Sequence, residues 1–391
     1  MNREKILKLV REFAKEEYSN KEFIEGKSVV PVSGRVFDED DIATLVDSAL
    51  DFHLTTYRYN DEFEKSLRDF FGLKYALTCN SGSSANLIAV SSLTSHLLKE
   101  RALKQGDEII TVAAGFPTTV NPILQNNLIP VFVDVELKTY NVDIKEIEKA
   151  ISKKSKAIIL AHTLGNPFNI DKVKKICEKY NLWLIEDCCD AFGTKYNGKK
   201  TGTFGDIATL SFYPAHHITM GEGGAVMTNN TILKKAMESI RDWGRDCFCP
   251  PGCDNTCKQR FTQKLGSLPE GYDHKYTYSH LGYNLKITDM QASVGYSQIK
   301  KLNGFIEKRK ENFIKIKDKL KRFEKYFILP EAQENSEPSW FGFLISVRED
   351  APFNRNDIVK YLNDKKINEY DVRPLKIGDI VKLANIEFKI K

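Results

Sequence analysis

Short apolar runs alternating with helical patterns predict an α/β protein with a mostly parallel central sheet and helices on both faces. Three observations carry that expectation. The alternation fills residues 75 to 230. Six runs within it are short, apolar and bounded by turn residues, as buried strands are. And 391 residues are too many for one small core.

In chain order, Ile6, Leu9, Val10 and Phe13 form one apolar stripe at helical spacing, so residues 1–30 are expected to be an N-terminal helical segment. The buried strands are EIITV at 108–112, PVFVD at 130–134, KAIILA at 156–161, LWLIED at 182–187, IATLSF at 207–212 and GAVMT at 224–228. Helical patterns lie between several of them, at 84–100, 143–151 and 171–180. Residues 243–275 break the rhythm: four cysteines, prolines and glycines point to a loop held by something other than an apolar core. A long helical stretch at about 288–325 follows. The expected organisation is a large domain over 31–275, including the Cys-rich loop, and a smaller C-terminal α+β domain over 276–391.

Hydrophobic residues make up 41% and charged residues 28%, as in ordinary soluble enzymes. The net charge of +5 is spread over many Lys and Glu without a basic block, which argues against nucleic acid as a partner. No apolar run approaches bilayer length, and the N-terminal stripe lacks the uninterrupted apolar stretch of a signal peptide. A cytoplasmic protein is expected, its eight cysteines reduced thiols, metal ligands or catalytic groups rather than disulfides.

Three segments carry chemistry. Asp187 ends an apolar strand, where open α/β sheets gather their ligands, and could hold a protonated ring nitrogen; a helix cap or a structural ion pair is the plainer reading. In CNSGSSANLIAV at 79–90 a glycine and three serines lead into an amphipathic helix, a natural phosphate cradle but also a common turn and cap. In SFYPAHHITMGEGGAV at 211–226 two histidines follow a strand end; such a pair suits a general base or a metal ligand, though a single His is more often structural.

Together, in order, these segments resemble the phosphate loop, the ring-nitrogen aspartate and the cofactor-lysine loop of the DegT/DnrJ/EryC1/StrS family of sugar aminotransferases. Residues 111–136, HTLGNPFNI at 162–170 and LGYNLKITDMQASVGYSQIKKL at 281–302 extend the resemblance over roughly 30–310. It implies the fold type I PLP-dependent transferase architecture. It also implies that the backbone of Gly82 and Ser83 and the hydroxyl of Ser211 hold the phosphate of a vitamin-B6 cofactor. Phe116 would stack on the pyridine ring and Asp187 keep its nitrogen protonated. Asn284 would reach the phosphate of a neighbouring subunit's cofactor, which implies a homodimer.

The departure from the family is His216, which stands where the aminotransferases have the lysine that forms a Schiff base with pyridoxal phosphate (PLP). Imidazole cannot form that bond. The resemblance then implies that the cofactor acts as pyridoxamine phosphate (PMP) and that His216 is the base. Asp190 and Tyr213, also unlike the usual aminotransferase residues, would orient His216 or tune the cofactor, with His217 a neighbour. The members that make this exchange remove the 3-hydroxyl of a nucleotide-activated 4-keto-6-deoxy sugar.

Those members fall into two groups, one with and one without an iron–sulfur cluster. Here Cys189 stands apart, Cys247 and Cys249 are separated by one residue, and Cys257 follows after seven more. Four thiolates complete the ligand set of a 2Fe-2S cluster, and they satisfy tetrahedral zinc equally. Spacing alone leaves both open. His216 together with the segment RDWGRDCFCPPGCDNTC resembles the iron–sulfur group. The resemblance implies 3-deoxygenation of CDP-4-keto-6-deoxy-D-glucose, on the route to 3,6-dideoxyhexoses of lipopolysaccharide O-antigen. The electrons would come from a separate NAD(P)H-dependent flavin and iron–sulfur reductase, since the chain carries no dinucleotide fingerprint. Cys188 and Cys253 are spare, and Cys79 and Cys177 read as small buried residues.

The last residues, NEYDVRPLKIGDIVKLANIEFKIK, do not resemble the family's C-terminal segments, and the chain is expected to fall several tens of residues short of them. An incomplete small domain would weaken catalysis. The sequence therefore leaves two further readings open: a PMP-dependent dehydratase or aminotransferase-like enzyme with structural zinc, and a homologue that keeps the fold without turnover.

Overall fold

The computed structural model describes residues 2–18, 36–247, 249, 255–364, 380–383 and 386–389. Helices α1 (Arg3–Tyr18), α2 (Glu39–Asp51) and α3 (Arg58–Phe71) precede the sheet. Strands β1 (Tyr75–Cys79), β2 (Glu108–Val112), β3 (Ile129–Val133), β4 (Ser155–Ala161) and β5 (Trp183–Asp187) alternate with α4 (Gly82–Ser92), α5 (Pro117–Gln125), α6 (Ile144–Ala150) and α7 (Ile170–Tyr180). Two short strands, β6 (Lys195–Tyr196) and β7 (Lys199–Lys200), form a hairpin before β8 (Ile207–Ser211), β9 (Gly224–Thr228) and α8 (Thr231–Arg241).

Seven strands form one sheet in the order β1-β9-β8-β5-β4-β2-β3. Pairs from β8 through β3 are parallel, and β9 runs antiparallel to both β1 and β8. The architecture is the fold type I α/β one. All six sequence-predicted strands are present within a residue or two; five are largely buried, as apolar runs should be, while β3 at the sheet edge leaves Ile129 and Phe132 exposed. Gly224 pairs with Cys79 on one side and Ser211 on the other, so the chain leaves β1, β5 and β8 at the same edge.

Two apolar clusters cover opposite faces of the sheet. One joins Phe63, Leu67 and Phe71 of α3 to Ala208, Leu210, Ala225 and Met227; the other joins Ile88, Leu233 and Met237 to Ile159, Ile185 and Val226. The helix at 84–100 proves to be α4 followed by a 3-10 turn, His96–Arg101, and α4 is not amphipathic. It packs against α5, α8, β8 and β9 and buries most of its residues, which Ala and Ser permit because they are small.

The stretch at 288–325 is two helices, α9 (Asp289–Ile299) and α10 (Leu302–Leu320), broken at Lys300 and Lys301. Phe313 and Leu320 of α10 join Phe327, Leu329, Trp340, Phe343 and Ile345 in a separate apolar cluster, with Phe313 stacked on Trp340 at 3.6 Å. Short strands β10 (Phe327–Ile328) and β12 (Ser346–Val347) pair with each other, and β11 (Ser336–Glu337) joins β6. Helix α11 (Arg355–Asp364) and a hairpin of β13 (Ile380–Leu383) and β14 (Ile386–Lys389) follow. Most of the C-terminal segment singled out above lies outside the described residues, as does Cys253.

Candidate active site

The site forms where β1, β5 and β8 end. Asp187 is the last residue of β5 and is 5% exposed. Its Oδ2 accepts hydrogen bonds from Asn86 Nδ2 and Thr119 Oγ1, each at 2.8 Å, and its Oδ1 accepts the backbone N–H of Cys189 at 3.1 Å. A nearly buried carboxylate with three donors is a fixed acceptor and could hold a cationic N–H.

Ser81 caps α4, its hydroxyl accepting from Ser84 N–H at 3.0 Å. The next residues begin the helix, where backbone N–H groups lack intrahelical partners and a phosphate is best met. Gly82 is needed there: a Cβ would lie 2.4 Å from Ser211 Cβ. Ser83 is exposed and Ser211 is 8% exposed. Gly82, Ser83 and Ser211 are thus brought together as a small polar cradle.

Phe116 is the N-cap of α5 and 70% exposed, a large apolar ring open to solvent. Its carbonyl accepts Thr119 N–H at 3.1 Å, so the helix turn that presents Phe116 also carries the hydroxyl on Asp187. Tyr213 is 52% exposed on the loop after β8, and Asn284 is exposed beside Leu285, whose carbonyl accepts Asn80 N–H at 2.8 Å.

On that loop the His216 ring lies 3.5 Å from Asp190 (Nδ1 to Oδ1) and packs on Phe341, centroids 5.1 Å apart. The separation is too long for a hydrogen bond, and Nδ1 has no other partner. Burial pushes the imidazole down to about 4, with the Asp187 charge opposing, so the ring is neutral and holds a free lone pair. Loss of hydration, and next Asp187, push Asp190 up to about 7. His217 does something different: buried, it places Nε2 2.9 Å from the Ser339 carbonyl and packs the loop against the chain.

Sequence reasoning missed Arg309 of α10. Its guanidinium donates to the carbonyls of His216 at 3.2 Å, Ala215 at 3.5 Å, Trp340 at 3.2 Å and Phe341 at 3.3 Å. It ties the His216 loop to the segment that supplies Phe341.

Of the four cysteines, Cys247, Cys249 and Cys257 are neighbours. The Cys249 thiol is pulled down to about 7, first by its hydrogen bond with Thr256 and then, against burial, by the Cys257 backbone and the adjoining thiols. The Cys257 Sγ lies 3.7 Å from His274 Nε2. Cys189 lies against Asp187 and Asp190 instead. The base of the loop is clamped by bridges from Asp242 to Asn284 and from Arg245 to Tyr278. Gly244, at φ 80°, is required there, because a Cβ would lie 1.9 Å from the His280 carbonyl oxygen.

Among the described residues, three potential metal-ligand atoms within 4.8 Å of one another occur at His162, Glu186 and Cys188, not at the four cysteines. Tetrahedral zinc and a two-iron cluster both take four thiolates, and the placement of these four favours neither. The compact group is not a cation site in chemical character: Glu186 already accepts from His162 and from the N–H groups of Gly202, Phe204 and Gly205. Cys188 is buried in the core, as are Cys79 and Cys177. No helix among the described residues is long and apolar enough to cross a membrane.

The fold and this strand-end site define an α/β enzyme of the fold type I class. The chain belongs to the DegT/DnrJ/EryC1/StrS aminotransferase family, whose profile matches residues 36–375. It is 58% identical to the lipopolysaccharide biosynthesis protein RfbH of Salmonella typhimurium, over 99% of this chain and 89% of that protein. It is 50% identical to dTDP-4-dehydro-2,6-dideoxy-D-glucose 3-dehydratase of Saccharopolyspora spinosa, over 93% of this chain and 79% of that one. Among solved structures, E. coli GDP-4-keto-6-deoxy-D-mannose-3-dehydratase with bound hydrated PLP superposes with a TM-score of 0.75 at 32% identity, covering 87% of this chain and 84% of that one.

Proposed function

We propose that the chain is a PMP-dependent, iron–sulfur CDP-4-dehydro-6-deoxyglucose 3-dehydratase, also called CDP-6-deoxy-L-threo-D-glycero-4-hexulose 3-dehydrase. It would serve 3,6-dideoxyhexose synthesis for lipopolysaccharide. The observation that carries this reading is His216, a neutral imidazole beside Asp190 on the loop where an aminotransferase of the family needs a primary amine. The 3-dehydratase names of two similar proteins agree with it.

The cofactor fits the residues present. Gly82, Ser83 and Ser211 would take its phosphate, Phe116 would cover one ring face, and Asp187 would take the ring nitrogen. Bound there, PMP would supply an amine that condenses with the C4 ketone and a conjugated ring that accepts electrons. His216 would remove the proton at the carbon bearing that amine, with Asp190 orienting the ring. The same groups would assist departure of the 3-hydroxyl. Tyr213, exposed on the loop after β8, would contact the sugar.

Cys189, Cys247, Cys249 and Cys257 would hold a 2Fe-2S cluster, which would supply single electrons. In balance, the C3–OH becomes C3–H with two electrons and two protons consumed and one water released. NAD(P)H would furnish the electrons through a separate flavin and iron–sulfur reductase. Asn284 would complete the phosphate site of a second copy, making the active form a homodimer.

The test is anaerobic purification with PMP, followed by an absorption spectrum and metal analysis. Brown protein with about two irons per chain that bleaches with dithionite is expected. Mass spectrometry should then show loss of the 3-hydroxyl from the CDP-4-keto-6-deoxy sugar in preference to the dTDP and GDP sugars. Colourless protein with stoichiometric zinc would overturn the electron-transfer half. Preference for dTDP or GDP would overturn the assigned nucleotide.

A further inference from the structure

Two buried polar side chains that this chemistry does not use converge on a single oxygen of Asp187, and a third fixes one of them. Asn86 Nδ2 and Thr119 Oγ1 both donate to Oδ2 at 2.8 Å, and Thr209 Oγ1 donates to Asn86 Oδ1 at 2.7 Å. Asn86 and Thr209 are 0% exposed and Thr119 is 3% exposed. They come from α4, β8 and α5, and they meet at the end of β5.

Chemistry fixes the direction of each bond. A carboxylate only accepts, so Asn86 must turn its amide nitrogen, and Thr119 its hydroxyl hydrogen, toward Asp187. The Thr209 hydroxyl then meets the Asn86 carbonyl oxygen and can only donate. Two donors fill Oδ2. On Oδ1 the Cys189 N–H takes one acceptor position. The carboxylate's remaining acceptor capacity therefore lies on Oδ1.

We propose that Asn86, Thr119 and Thr209 are positioning residues that hold Asp187 by Oδ2, leaving Oδ1 for the ring nitrogen of the cofactor. Asp187 is the group that touches the cofactor; the other three act through it. The inference rests on the vitamin-B6 reading above. It extends that reading by naming which oxygen is used and what fixes it.

The test titrates the full chain with PMP alone, reading affinity and the absorption spectrum of the bound cofactor. Thr119→Val removes one donor at nearly constant shape, and Thr119→Ser keeps the hydroxyl. Thr119→Val should weaken PMP binding by about tenfold and shift its absorption band, in line with loss of one hydrogen bond to a charged group. Thr119→Ser should match the wild type in both. Thr209→Val leaves both Asp187 donors in place but frees the Asn86 amide to turn, and should cause a smaller loss of the same kind. It keeps the test open should Thr119→Val fail to fold. Wild-type affinity and an unchanged spectrum in Thr119→Val and Thr209→Val would overturn the proposal while leaving the cofactor reading intact. Failure of the wild-type chain to bind PMP would overturn both.

Discussion

The backbone N–H of Cys189 donates to Oδ1 of Asp187 at 3.1 Å, so a proposed cluster ligand and the proposed ring-nitrogen partner are joined by one hydrogen bond. That bond belongs to the main chain and survives replacement of the thiol. Cys189→Ser should therefore keep wild-type PMP affinity while iron per chain falls well below the wild-type value. Iron analysis and a PMP titration on the same preparation check this. Full iron content in Cys189→Ser would remove Cys189 from the ligand set.

His216 is neutral and has no hydrogen bond at Nδ1. A base of that kind is replaceable in shape but not in proton affinity. His216→Asn should fold and bind PMP as the wild type does, yet lose dehydration by at least about a hundredfold, the lower end for a general base. Substrate turnover measured by loss of the 3-hydroxyl decides it. Full activity would take His216 out of the mechanism.

Arg309 matters through the carbonyls it serves. Arg309→Met leaves the carbonyls of Ala215, His216, Trp340 and Phe341 without this donor, and the His216 loop loses its tie to the 340s segment. A loss of about 2 kcal/mol in stability is expected, the scale of hydrogen bonds to a charged group. Denaturant unfolding gives the number. Arg309→Lys should recover part of the stability but not the full tie, since one ammonium lacks the spread of the guanidinium fork.

What the sequence showed and what it hid follow from how each feature is encoded. Strands β2, β4, β5, β8 and β9 are legible because burial on both faces makes them largely apolar, and the edge strand β3 because IPVFV is a short apolar run. Strand β1 is not: YALTC, as long as its neighbours, takes its place from antiparallel pairing with the distant GAVMT. Asp187 and the Ser81–Gly82 turn are legible because strand ends and helix starts carry local signals. Asn86, Thr119, Thr209 and Arg309 are ordinary polar residues at their own positions. They acquire meaning only when α4, α5, β8 and α10 bring them to Asp187 or to the His216 loop.

Acid should loosen the attachment of α1. Asp47 of α2 accepts from Tyr59 Oη and Arg3 Nε, each at 2.6 Å, and from Arg58; Arg3 also pairs with Asp51 at 2.8 Å. Burial alone would push Asp47 up, but the hydrogen bonds from Tyr59, Arg58 and Arg3 outweigh it and hold the carboxyl near 2, below its ordinary 3.8. The unfolded chain thus binds the proton first as pH falls. The stabilisation is complete above about 4 and is lost progressively as pH falls toward 2. Screening at this partly open surface limits it to about 1 kcal/mol. Asp47→Asn should cost roughly that much at pH 7 and remove this part of the acid dependence. Unfolding curves of the two chains should converge as pH falls toward 2; a gap of constant size from pH 6 down would show that the carboxylate contributes nothing.

Gly82→Ala tests the cradle itself. The added methyl would meet Ser211 Cβ at 2.4 Å, inside any normal contact, so the start of α4 must move away from β8. A displacement of even a few tenths of an ångström carries the N–H groups of residues 82 and 83 off a bound phosphate. PMP affinity should fall at least tenfold, and stability by about 2 kcal/mol, as overpacking of a tight site does. Adding Ser211→Gly removes the colliding Cβ and should restore stability. It should not restore affinity, because the Ser211 hydroxyl is gone as well. PMP titration and thermal unfolding of the single and double variants separate the two effects. Recovery of both together would mean that Ser211 takes no part in holding the phosphate.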